Sequence, residues 1–180
     1  MGRFSETQID WSPFQVCPFG EKAPYPRSLN TKEGLGDRLR FVAFAEKQAS
    51  EAFFTASFIF PEAPDAVKEL WGKLALEEKK HLNWLLARME EIGIPVADRM
   101  VSRALWASFD HCETPWKFAQ FMASSEENGR LAGEKFYQTL LQIDPVTAEL
   151  FRKIADEEVD HIALADSVIR QFIDSGTSKV

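Results

Sequence analysis

The sequence predicts an all-α protein: a four-helix bundle with one long crossover between helices 2 and 3, preceded by an irregular N-terminal arm. Three observations predict it. Residues recur at three- and four-residue steps through the first of four long stretches, as they do on one face of a helix. Strand-like alternation appears nowhere at useful length. Helix start and stop signals fall between the stretches, so that the order reads helix, short turn, helix, long crossover, helix, short turn, helix.

Residues 1–30 hold four of the nine prolines, Pro13, Pro18, Pro24 and Pro26. Proline this dense excludes a long helix. Trp11, Phe14 and Phe19 stand among them, so the segment reads as an irregular arm lying against the body rather than a disordered tail. The body is expected over 31–174, with 175–180 as a tail. The first helix runs from about residue 31 to about 60, where Leu39, Val42, Ala43, Glu46, Ala49, Ser50 and Phe53 keep helical spacing. FPEAPD (60–65) stops it and starts the second, which ends near 91, before Gly93 and Pro95. A crossover over about 94–113 follows. Thr114-Pro115 and Asp144-Pro145 each read as a capping residue with proline at the first helical position. They open the third helix, to about 141, and the fourth, to about 174.

Composition narrows the function. A chain of 180 residues with 45% hydrophobic and 27% charged residues is the size and make-up of one ordinary globular domain. Lys plus Arg number 21 against 28 for Asp plus Glu, a net charge of −7. That charge disfavours sequence-independent nucleic-acid binding and docking on anionic membranes. The longest apolar stretch, 52–60, contains Thr55 and Ser57 and is far short of the ~20 residues of a membrane span. The opening MGRFSETQID has no basic-then-apolar signal pattern. Cys17 and Cys112 make neither a disulfide framework nor a cysteine zinc site. A reducing cytoplasm is the expected location.

The chemistry lies in a repeat. Two of the three histidines end the same pattern, Glu78-Lys79-Lys80-His81 and Glu158-Val159-Asp160-His161. On a helix, residues i and i+3 share a face, so each carboxylate and imidazole can reach one metal centre. The match extends beyond the motifs at the same offset, with LALEEKKHL (74–82) aligning on IADEEVDHI (154–162). Upstream, FVAFAE (41–46) aligns with FMASSE (121–126), so Glu46 and Glu126 precede their motif's glutamate by equal intervals. The midpoints of those intervals, 62 and 142, fall at the two short turns. Each lone glutamate is therefore expected at about the height of its Glu-x-x-His partner. The candidate metal ligands are Glu46, Glu78, His81, Glu126, Glu158 and His161. Four carboxylates balance two divalent cations, and mixed oxygen and nitrogen donors suit iron or manganese. Val42, Ala43, Ala49, Trp71, Leu74, Leu85, Met122, Ile154 and Ala165 surround these positions in sequence, as expected of a ligand set facing a core.

The order Glu, Glu-x-x-His, Glu, Glu-x-x-His resembles the ferritin-like di-iron carboxylate superfamily. More narrowly, RSLNTKEG (27–34), EKQASEAFF (46–54), FPEAPD (60–65), EEKKHLNWLLARMEEIGI (77–94) and DEEVDHIALADSVI (156–169) resemble a bacterial ferritin-like family that carries a domain-of-unknown-function label. That family is distantly similar to di-iron tRNA hydroxylases. The resemblance covers about 27–173. It implies a ferritin-like bundle holding two iron ions, with manganese or a mixed manganese–iron pair as alternatives. Glu46, Glu78 and His81 would favour one ion, and Glu126, Glu158 and His161 the other, with Glu78 and Glu158 as bridges. Phe44-Ala45 stand where family members often carry a further histidine. The activity implied is that of a non-haem di-iron oxidase or monooxygenase, activating dioxygen or peroxide to oxidise a small organic substrate. Ferroxidase or iron handling, and a structural di-metal scaffold without turnover, are the alternatives. The expected partners are a small-molecule substrate and dioxygen, with no membrane and no nucleic acid. A homodimer is left open.

Other residues carry competing readings. Glu51 and Glu127 are the register rivals of Glu46 and Glu126, and Glu51 also suits a supporting role. His111 reads as a surface or capping histidine, and both cysteines as inert buried thiols. Tyr137 reads as a packed tyrosine. Arg130 either orients Glu126 or faces solvent. Gly129 and Gly133 either allow close helix packing or leave room for a substrate beside the metals.

Overall fold

The computed structural model describes residues 3–4 and 8–174. The expected tail at 175–180 lies outside the described residues. The protein is all-α, with five α-helices among the described residues: α1 (Lys32–Ile59), α2 (Asp65–Glu91), α3 (Ala104–Ser108), α4 (Pro115–Leu140) and α5 (Pro145–Asp174). Helix pairs pack as in an α-helical bundle, and among the described residues the one β-type pairing is an isolated parallel bridge between Val16 and Val101. The four long helices begin and end within a residue or two of their expected limits. The crossover differs from expectation: it is not plain loop but holds α3 and two single 3-10 turns, Val96–Asp98 and Phe109–His111. No described helix is long and apolar enough to cross a membrane.

The caps explain the boundaries. The Thr31 hydroxyl accepts from the Gly34 N–H at 3.0 Å and opens α1. Thr114 accepts from the Lys117 N–H at 3.2 Å, ahead of Pro115. Asp144 accepts from the Thr147 N–H at 3.3 Å and from its hydroxyl at 2.8 Å, ahead of Pro145. At the end of α2, Gly93 turns into the left-handed region (φ 63°), and the Ile94 N–H reaches back to the Met89 carbonyl at 2.8 Å. Glycine takes that conformation without the steric penalty a side chain brings.

The chain packs as two compact units, Met1–Thr55 with Ala75–His111, and Ala56–Leu74 with Cys112–Val180. In the first, aromatic side chains of the N-terminal segment pack on α1 and on the crossover. The Trp11 ring lies 5.5 Å from Phe44 and 5.2 Å from Trp106, and Phe14 lies 5.0 Å from Phe44. Phe4 meets Trp106 and Phe109 at 5.6 and 5.3 Å. The Val16–Val101 bridge fixes the backbone: Cys17 N–H donates to Val101 O at 2.9 Å and Val101 N–H to Gln15 O at 2.8 Å. Cys17 and Cys112 are both buried free thiols, and burial pushes Cys112 up to about 11, so it stays an unreactive thiol at neutral pH.

The same unit contains a buried charge cluster that helical periodicity does not reveal. The Asp37 carboxylate accepts two bonds from the Arg27 guanidinium, at 2.6 and 2.9 Å, one from the Arg27 backbone at 2.8 Å, and one from Arg40 at 2.9 Å. Arg40, only 1% exposed, also donates to the Val96 and Pro95 carbonyls at 2.7 and 2.9 Å. It thereby fastens α1 to the start of the crossover. Burial by itself would raise the Asp37 carboxyl, but the bonds from Arg27 and the charge of Arg99 outweigh it and hold the group down at about 2.

In the second unit α4 packs along α5. Phe136 stacks on Phe151 at 4.9 Å, and Trp71 meets Phe118 edge-on at 5.3 Å. Gly133 is buried, and a Cβ there would stand 3.0 Å from the Ala155 Cβ and 3.3 Å from the Phe151 carbonyl oxygen. Its bare backbone serves close packing of α4 on α5, so the reading of Gly133 as substrate room is corrected. A Cβ on Gly129 would meet nothing within 4 Å, because that residue is exposed.

Both packing features can be measured by substitution. Asp37→Asn strips buried Arg40 of its carboxylate and should cost about 3 kcal/mol in urea unfolding. In the parent chain, a carboxyl lowered from 3.8 to about 2 contributes stability above pH 3.8 that is lost as pH falls toward 2. The variant should lack that acid-sensitive component. Gly133→Leu should lower stability by about 1–3 kcal/mol through overpacking, read as a lower melting temperature. An unchanged melting temperature would mean that α4 and α5 are not in contact there.

Candidate metal centre

Each hairpin sets its own register. The Ser50 hydroxyl of α1 donates to the Ala75 carbonyl of α2 at 2.8 Å. With these antiparallel helices matched at 50 and 75, and both rising by the same step per residue, position 46 lies opposite 79. Glu46 thus stands within one turn of both Glu78 and His81 along the helix axis. All three are buried, at 9%, 2% and 0% exposure. The His81 ring lies 5.5 Å from Trp84, over which the Lys80 ammonium sits at 5.3 Å.

In the second hairpin, contact of Gly133 with Phe151 and Ala155 brings Glu126 opposite the turn from 158 to 162. Accordingly, His161 Nδ1 lies 3.1 Å from Glu158 Oε2 and 3.7 Å from Glu126 Oε2. Glu126, Glu158 and His161 are buried at 5%, 3% and 2% exposure. Loss of hydration pushes the Glu126 carboxyl up to about 8; His161 opposes the rise and the neighbouring Glu158 charge adds to it. In a metal-free chain this carboxyl therefore keeps its proton at neutral pH.

One ligand atom from each of Glu78, His81, Glu158 and His161, all buried, can be chosen so that the four lie within 4.8 Å of one another. Two carboxylates and two imidazoles so gathered can hold a metal ion, and the oxygen–nitrogen donor set fits iron or manganese.

The rival residues point elsewhere. Glu127 bonds the Arg130 guanidinium through both oxygens at 2.8 Å, and Arg130 also pairs with Glu134. Arg130 is therefore engaged along its own helix by those two glutamates. Glu51 pairs with Lys47 at 3.1 Å and is partly exposed. His111 is exposed. Tyr137 is half-buried, with the Arg152 guanidinium 5.8 Å from its ring centre. Gln48 was not singled out by sequence. It is 3% exposed, accepts from the Trp106 N–H at 2.9 Å and donates to the Phe44 carbonyl at 3.2 Å. A glutamine among the apolar and small residues of the first helix was the available signal. Its role is to fasten the crossover to α1.

Comparison with curated proteins finds no match, and comparison with solved structures finds none. Residues 14–176, nearly the whole chain, match one protein family. The chain belongs to that family, described as Protein of unknown function (DUF455).

Proposed function

We propose that the protein is a ferritin-like di-iron carboxylate oxidoreductase, with two manganese ions or a mixed pair as the alternative metal content. The observation that carries the reading is the buried group of Glu78, His81, Glu158 and His161, with four ligand atoms within 4.8 Å. It is made by the two Glu-x-x-His motifs of the sequence repeat. Glu46 and Glu126 complete the proposed ligand set. Both are buried, and both stand level with their motifs by hairpin register. Glu78 and Glu158 are the proposed bridges, and His81 and His161 each the imidazole of one ion.

When bound, the metal pair would supply reduction of dioxygen or peroxide, coupled to oxidation of a small organic substrate in the cytoplasm. The residues supply the rest. On metal binding the buried carboxylates would release their protons to solvent and neutralise the charge of the cations. The imidazoles, carried on the long helices α2 and α5, would each hold one ion. Apolar neighbours such as Ala49, Trp71, Leu74, Met122 and Ile154, all buried, keep bulk water away.

Protein purified without chelator should contain about two transition-metal ions per chain by elemental analysis. Glu78→Ala with Glu158→Ala should remove both, because a bridging ligand serves both ions. His81→Ala should chiefly loosen one. Unchanged metal content in the double variant would overturn the assignment. Dioxygen uptake then separates the classes. Consumption that stops once added Fe(II) is oxidised points to iron handling. Consumption that continues with a reductant and an organic substrate points to the proposed oxidase.

Proton linkage gives a second test. Glu126 rises from 4.5 unfolded to about 8 folded. A raised carboxyl contributes stability that is full below pH 4.5 and lost as pH climbs through about 8. Metal-free protein should therefore melt at a lower temperature near pH 8 than near pH 5.5. Added Mn(II) should raise the melting temperature more near pH 8, where fewer protons must be displaced. A melting curve indifferent to metal at both pH values would count against a buried site.

A further inference from the structure

The two halves of the repeat agree in their candidate ligands and differ beside the histidines. Residues three and four apart are neighbours on a helix, which puts Trp84 of α2 beside both His81 and Lys80. Both contacts form. The Trp84 ring lies 5.5 Å from the His81 ring at an angle of 40°, and the Lys80 ammonium stands 5.3 Å from the centre of the indole. Lys80 also pairs with Glu77, one turn earlier. Glu77, Lys80 and Trp84 are all partly exposed, whereas His81 is 0% exposed. A connected row of side chains therefore runs from the solvent face of α2 to a buried imidazole.

The same offset in α5 places other chemistry at these positions. Leu164 stands where α2 has Trp84, and Asp160 where it has Lys80. Leu164 is half-buried and Asp160 exposed. The face of an aromatic ring attracts an ammonium, while a leucine has no such face and a carboxylate no such charge. The two exchanges go together, so the pair that holds an indole against His81 has no counterpart at the matching positions beside His161. This matters because an imidazole serves a metal only in the orientation that aims one nitrogen at the ion, and the groups around the ring fix that orientation. A ring already fixed by packing has less freedom to lose on binding.

We propose that Trp84 is a positioning residue for His81. The indole holds the imidazole in its ligating orientation, Lys80 holds the indole, and the two ions of the site are held unequally as a result. The inference rests on the proposed metal site and adds to it an asymmetry that the six ligands lack.

The experiment is titration of the full chain, freed of metal, with Co(II), followed by calorimetry and by the visible absorption of bound Co(II). The parent chain should take up two ions. Trp84→Leu, which copies the second motif's side chain into the first, should weaken one ion by about 10–100-fold and leave the other at parental affinity. Trp84→Phe keeps a ring beside the imidazole and should recover most of the loss. In a His81→Ala background Trp84→Leu should have no further effect, because Trp84 acts through His81. Melting of the metal-free variants confirms that they fold. If Trp84→Leu does not fold, Lys80→Met decides: it removes a partly exposed charge and should weaken the same ion by about threefold through the loosened indole. A parent chain that binds no Co(II) overturns the metal reading, and this inference with it. With a parent that binds two ions, this inference alone is overturned by parental affinity in the deciding variant, by an equal loss at both ions, by no recovery in Trp84→Phe, or by a loss that persists in His81→Ala.

Discussion

A carboxylate taken out of water must meet a cation, share a proton or keep one. Among the described residues five acidic side chains are buried: Asp37, Glu46, Glu78, Glu126 and Glu158. That is a heavy load for a chain of 180 residues, and the rest of the structure is arranged around carrying it. Asp37 is answered from within the protein. Arg27 and Arg40 bond it directly, and Arg40 spends its remaining donors on the Pro95 and Val96 carbonyls. The result is a satisfied, rigid joint. Glu126 has a different answer. Beside it stand Glu158 and His161, and its carboxyl rises rather than falls. A fold that wanted only stability would gain by replacing such a group with leucine. Retaining a costly carboxyl next to an imidazole makes sense where a cation is to take the place of the proton.

The helices were legible because their ends are written in local chemistry. Thr114-Pro115, Asp144-Pro145 and Gly93 each act within one turn of the chain, so sequence alone places them. The internal alignment of the two halves is legible for a related reason. Glu46 and Glu126 each precede the glutamate of a Glu-x-x-His motif by the same number of residues, and such an interval can be read in the sequence alone. The crossover was less legible. Ala104–Ser108 is too short to show a period, and its stability comes from contacts such as the Trp106 N–H with Gln48, 58 residues away in the chain. The Arg27–Asp37–Asp98 linkage was hidden in the same way, since partners 71 residues apart leave no local pattern. Gly133 was ambiguous because a missing side chain looks alike whether it opens a space or closes one. Only the 3.0 Å approach of Ala155 decides that it closes one.

The family match and the site geometry inform different levels. Membership covers residues 14–176 and so takes in both hairpins, the crossover and most of the N-terminal segment. It carries no activity with it. The functional reading rests on donor atoms, their burial and their distances, which is where function has to be argued when a fold serves many chemistries.

The way the N-terminal segment is fastened bears on how the chain is made. Phe4 rests on Trp106 and Phe109, and the Val16 bridge needs Val101. These partners are translated long after the segment itself. On a ribosome adding about 5–20 residues per second, the aromatic side chains near the start wait several seconds before their docking surface exists. Closing a loop of that length also costs entropy that short-range helix contacts do not. Residues that finish as core thus begin as exposed, sticky surface on a nascent chain. The helices on either side of the FPEAPD turn can form in that interval, and the N-terminal segment closes over the crossover afterwards.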